Sequence, residues 1–218
     1  MNPNNIVQEL IKEECFNVWN NPSGDNSNFD AFGSLRSWRK VLDERESVSF
    51  FDKEKDVEYD DLVQMLINNE KFIEQIAGTS LLEQYLLINR VNTHNDEAFS
   101  SQKVYRYSYS QNYIQEVADI PQHLTQEQLM LQKEFANAAV VVFYVGKIAD
   151  RTATCGVTGY TNLLTIAGMV AHNMWLHSLS RGYEGTVFAG LLPRTLRMFT
   201  DIDGFTKAQM FAYCFGKR

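Results

Sequence analysis

The stretch Thr161–Leu179 constrains the fold more than any other part of the 218-residue chain. It reads as one long helix that is apolar on nearly every side. Such a helix cannot lie on a solvated surface; it forms the centre of a domain or a subunit interface. The chain is long enough to bury a sizeable core around it without disulfide staples.

The flanking segments supply the rest of that core. Glu58, Asp60 and Asp61 open a second helix, where acidic residues complement the helix dipole. Leu62, Val63, Leu66 and Ile67 form its buried stripe. Residues 81–91 read as a strand. Lys103–Ser110 alternates with period two, Tyr105, Tyr107 and Tyr109 sharing one face. Residues 92–102 between them are polar and read as a loop. Thr125 and Gln128 form a capping box that opens a helix to about Asn137. Ala138–Val145 is short and wholly apolar, as a buried strand requires. Short segments follow: a strand at 186–188, a helix at 192–199 with Pro193 in its first turn, and a final strand at 209–215. Residues 5–19 read as an N-terminal helix, 20–28 as a polar loop and 30–44 as partly helical. The expected class is α+β, with a mixed, mostly antiparallel sheet flanked by helices.

Composition excludes several functions. Charged residues are 22% and the net charge is −7, so no nucleic-acid or membrane partner is expected. The basic cluster Arg36, Arg39, Lys40 and Arg45 reads as a solvated face. The longest apolar run, Ala138–Val145, is far short of the about 20 residues of a membrane span. The N-terminus lacks a signal-peptide pattern, and Cys15, Cys155 and Cys214 are odd in number and widely spaced. A disulfide framework or zinc site is not expected, and a reducing, cytoplasmic setting is. His172 and His177 are five apart and point to different faces of one helix, so no metal site is expected. Ser37-x-x-Lys40 lacks the companion motifs of serine acyl-enzymes. Gly156-x-x-Gly159 is no nucleotide-binding glycine loop.

Five motifs, in order, carry a family resemblance. Arg45-Glu-Ser47-Val-Ser49-Phe-Phe51 precedes the Glu58 helix. Gly78-Thr79-Ser80 precedes the first main strand. The long apolar helix carries Ala167-Gly168 and His172-Asn173. Ala189-Gly190 follows the short strand after it, and Gly216-Lys217-Arg218 ends the last strand. This arrangement resembles the nitroreductase family of FMN-dependent oxidoreductases over residues 45–218, with residues 1–44 as a helical N-terminal extension. The resemblance implies the nitroreductase-like fold as an intertwined homodimer. It implies FMN as cofactor, held by Arg45, Ser47, Ser49, Gly78, Thr79, Ser80, Asn173, Ala189, Gly190, Lys217 and Arg218. A phosphate needs several fixed donors, which Arg45, Ser47, Lys217 and Arg218 would supply. Lys217 and Arg218 read equally as a frayed terminal tail. Ser49 stands where a second basic residue is usual, and the family's Pro-Ser before the glycine loop is missing.

Val104-Tyr-Arg-Tyr107 and Gly159-Tyr160-Thr-Asn-Leu-Leu164 resemble one branch, the dehydrogenases that convert thiazolines and oxazolines in ribosomal peptides to thiazoles and oxazoles. That likeness implies a cyclodehydratase complex and a precursor peptide as partners. It makes Tyr160 the catalytic residue, although Gly159 replaces the branch's lysine. Tyr160 reads equally as a packed aromatic, since a neutral phenol is a weak base. Two other functions fit the same residues: a nicotinamide-driven nitro or quinone reductase, and a non-catalytic flavin-binding scaffold subunit.

Overall fold

The computed structural model describes residues 38–43, 45–77, 81–93 and 99–218. The helix expected over 5–19, the loop at 20–28 and the site residues Gly78, Thr79 and Ser80 lie outside them. Within the segment 30–44, expected to be partly helical, the described residues form α1, Trp38–Asp43.

A six-stranded sheet organises the rest. Its order is β5 (Tyr113–Asp119), β4 (Lys103–Ser108), β2 (Leu82–Ile88), β6 (Val140–Lys147), β8 (Lys207–Gly216) and β7 (Glu184–Phe188). Every neighbouring pair in it is antiparallel. The only parallel pair among the described strands is the two-residue β1 (Val57–Glu58) with β3 (Val91–Asn92). β6 is central, paired on both edges and covered on both faces, which is why the Tyr144 hydroxyl is the only polar side-chain group in Val140–Val145.

Two helices cover one face. α2 (Tyr59–Ala77) buries Leu62, Met65, Leu66, Asn69 and Ile73, spaced three and four apart. α5 (Thr158–Ser180) lies alongside and buries Leu163, Ile166, Ala167, Val170, Met174 and Trp175 against the same face. The other face packs Phe143, Val145, Ala212 and Cys214 against Phe135, Phe188, Leu191 and Leu196. At about 1.5–3 kcal/mol for each fully buried large apolar side chain, these two layers dominate stability.

Three expectations need revision. The helix expected over 125–137 is one turn, α3 (Gln126–Leu129), followed by a separate 3-10 turn at Lys133–Asn137. The capping box is present, but Met130 turns extended to bridge Leu191, and the Leu192 N–H donates to the Leu129 carbonyl at 2.6 Å. A helix α4 (Ile148–Cys155) precedes α5, which itself starts three residues earlier than expected. Cys155 is disulfide-bonded, although the odd and widely spaced cysteines led to no expectation of a disulfide framework; Cys214 is free and buried.

Candidate functional site

The start of β7 gathers residues from both ends of the sequence. Glu184 pairs with Gly216 of β8, so Lys217 and Arg218 emerge beside it. Ser47 bridges Gly185 in parallel, and the Val48 N–H donates to the Gly185 carbonyl at 3.2 Å. The Asp52 N–H donates to the Lys217 carbonyl at 2.9 Å. Residues 47–52, including half-buried Ser49, therefore run along the outside of β7 to the C-terminus.

Two cations, Lys217 and Arg218, stand there, and Arg45 lies two residues before the Ser47 bridge. Arg218 Nη1 stands 3.9 Å from both Glu46 and Glu184, and Lys217 Nζ stands 3.9 Å from Glu58. These separations exceed hydrogen-bond length, so the N–H donors are not consumed. The Arg45 guanidinium lies 4.6 Å over the ring of Trp175 on α5. Arg45 makes no carboxylate ion pair among the described residues. Five of the expected site residues, Arg45, Ser47, Ser49, Lys217 and Arg218, thus share one locality.

Ala189 and Gly190 lie at the opposite end of β7, about 17 Å along the strand. The Gln209 amide holds this turn, donating to the Ala189 carbonyl at 2.8 Å and accepting from the Leu191 N–H at 3.1 Å. Gly190 has φ +109, and a Cβ there would collide with that amide, so both backbone and space require glycine.

Tyr160 is in the first turn of α5 and 46% exposed. It lies roughly 22 Å along the helix from Trp175, toward the end of the fold away from the cation cluster. Gly159 is buried where α4 and α5 meet. A Cβ at Gly159 would stand 2.7 Å from the Arg151 carbonyl oxygen, so packing forbids the lysine that the branch pattern places there.

Asn173, two residues before Trp175 on α5, turns its amide into the core. Its amide donates to Asn69 Oδ1 at 3.1 Å, and Asn69 donates to Gln84 Oε1 at 3.0 Å and to the Tyr144 hydroxyl at 3.1 Å. Gln84 donates in turn to the Leu66 carbonyl and to Glu70. Burial pushes the Tyr144 phenol far up and raises the Glu70 carboxyl. This network joins α2, α5, β2 and β6 through the core. Sequence reasoning missed Asn69, Gln84, Trp175 and Gln209. Two signals were available: Asn69 interrupts the apolar stripe of α2, and Gln84 interrupts the apolar run of β2.

Elsewhere, on the sheet face away from α5, a cavity of about 340 Å³ is lined by Tyr85, Arg106, Val117, Met198, Phe199 and Asp201. Burial pushes the Tyr85 phenol up to about 12. Among the described residues, no group of three His, Cys, Asp or Glu could hold a metal ion, and no helix is long and apolar enough to cross a membrane.

No family model and no curated protein sequence matches this chain. Solved structures do resemble it. A proposed nitroreductase of Anabaena variabilis superposes with a TM-score of 0.60 at 15% identity, over 83% of this chain and 38% of that one. This chain therefore spans well under half the length of that relative. The E. coli microcin synthetase McbBCD complex, with truncated pro-MccB17 bound, gives a TM-score of 0.59 at 13% identity, over 97% of this chain and 94% of the matched chain. A proposed nitroreductase of Exiguobacterium sibiricum in complex with FMN gives 0.52 at 9% identity, over 84% and 88%. At such identities the likeness speaks for the fold. The α+β architecture with a mostly antiparallel sheet is that of the nitroreductase fold.

Proposed function

We propose that this chain is an FMN-dependent oxidoreductase that dehydrogenates azoline rings in a ribosomal peptide. One observation carries the FMN assignment. Ser47, with Arg45 two residues before it, is bridged to the end of β7 from which Lys217 and Arg218 emerge, while the glycine turn 189–190 stands at the other end. The donor set suits a phosphate: an arginine with no carboxylate partner among the described residues, two further cations and a serine. Arg45, Ser47, Ser49, Lys217 and Arg218 would hold the phosphate and sugar chain, and Ala189 and Gly190 would lie against the ring. Gly78, Thr79 and Ser80 would complete the ring end, as the motif order implies. Bound FMN supplies two-electron redox chemistry; the protein orients the substrate and excludes water.

The azoline reading draws support from the match to a chain of the microcin synthetase complex over nearly the whole of both chains. In that reading Tyr160 takes the proton from the ring. A cyclodehydratase and a precursor peptide are the partners. The outward face of α5 supports a homodimer: Thr161, Leu164, Thr165, Gly168, Met169 and His172 are exposed or half-buried along it, and a Cβ at Gly168 would meet nothing within 4 Å.

The packing at Gly159 favours a second reading. With no lysine beside Tyr160, a nitro or quinone reductase driven by a nicotinamide cofactor fits the same fold. Incubating flavin-loaded protein with the cyclodehydratase and an azoline-bearing peptide separates them. Loss of two hydrogens per ring, seen by mass spectrometry, is the expected result. Intact azolines together with rapid bleaching of the flavin by a nicotinamide cofactor would decide for the reductase.

A further inference from the structure

We infer that Trp175 is the platform that sets Arg45 in the phosphate site, so that preference for FMN over riboflavin runs through this pair. The inference rests on the FMN reading above. The Arg45 guanidinium carbon is 4.6 Å from the Trp175 ring centroid, within cation–π range. The platform is rigid. Trp175 is only 7% exposed, His172 stands edge-on to it at 6.1 Å, and Tyr213 lies against it at 6.3 Å. The Tyr213 hydroxyl is itself pinned to Ser178 Oγ at 2.5 Å.

Arg45 differs from its neighbours. Arg218 faces Glu46 and Glu184, and Lys217 faces Glu58, so a dianion arriving there must compete with carboxylates. Arg45 has no carboxylate partner among the described residues, and the aromatic face that holds it leaves its planar fork of donors for a phosphate. Arg45 is exposed, and among the described residues the backbone hydrogen bond nearest to it in sequence is Val48–Gly185, three residues on. Without the ring, a long side chain in that setting samples many rotamers. Trp175 is thus a positioning residue, acting through Arg45.

The test titrates wild type, W175F, W175L, R45Q and the W175L/R45Q double variant with FMN and, separately, with riboflavin, following flavin fluorescence. Wild type binds FMN more tightly than riboflavin. W175L weakens FMN by about tenfold and leaves riboflavin unchanged, W175F weakens it by about threefold, and the double variant is no worse than R45Q. Thermal melts show which variants fold. Should W175L not fold, W175F and R45Q still decide. A wild-type FMN-to-riboflavin ratio in W175F, with or without W175L, overturns the role of Trp175 and leaves the FMN reading standing. Wild type that binds neither flavin overturns both.

Discussion

The Gln209 amide occupies the space where a side chain at Gly190 would begin, and from there it ties the Ala189 carbonyl to the Leu191 N–H. One side chain on β8 therefore shapes the turn assigned to the flavin ring. Gln209→Leu keeps the volume and removes both hydrogen bonds. A stability loss of about 1–2 kcal/mol is expected, with faster amide exchange at residues 189–191. Denaturant melts and hydrogen exchange check it; unchanged exchange would show that the turn holds itself.

Gly159→Ala places a methyl group 2.7 Å from the Arg151 carbonyl oxygen. It should cost about 1–3 kcal/mol, and Gly159→Lys at least as much, without creating a base. Urea denaturation of both variants measures this. Wild-type stability in Gly159→Lys would mean that α4 and α5 have room to part.

Tyr160 is exposed and distant from the cation cluster, so Tyr160→Phe should leave FMN affinity unchanged. Azoline dehydrogenation should fall about 100-fold if the phenol moves the proton. Equal turnover by both proteins would show that the Tyr160 phenol takes no part in the step.

Burial pushes His177 down from 6.5 to about 4, so the folded chain favours the neutral imidazole. The unfolded chain binds more protons between these values. The stability this contributes is complete above about pH 6.5 and is lost as pH falls toward 4, by up to about 3 kcal/mol. Against wild type, His177→Gln should show a flatter loss of stability over that window. Parallel pH curves would show that His177 does not drive it.

Most of the architecture was legible because its elements have strong periods: the α2 stripe, the β4 alternation, the unbroken apolar run of β6, and α5. β5 was missed because it is an edge strand in which Ile114 alone is buried, so Glu116 and Asp119 blur its alternation. α4 was missed because its eight residues include Asp150, Arg151, Thr152 and Thr154. The 125–137 helix was overextended because the pairing of Met130 with Leu191 is a tertiary contact that no local pattern records. In the candidate site, the Arg45–Ser47 and Lys217–Arg218 motifs were readable, since each is contiguous. What the Asn173 motif does not carry is the partner of its amide, Asn69, 104 residues away on α2.

The most direct measurement is the flavin content of the purified chain, by absorbance near 450 nm and by chromatography of what denaturation releases. One FMN per chain is expected, either as purified or after incubation with FMN, and Arg45→Gln should lower the affinity for FMN more than that for riboflavin. A colourless protein that takes up no FMN at saturating concentration would contradict the flavin assignment, and with it the oxidoreductase reading.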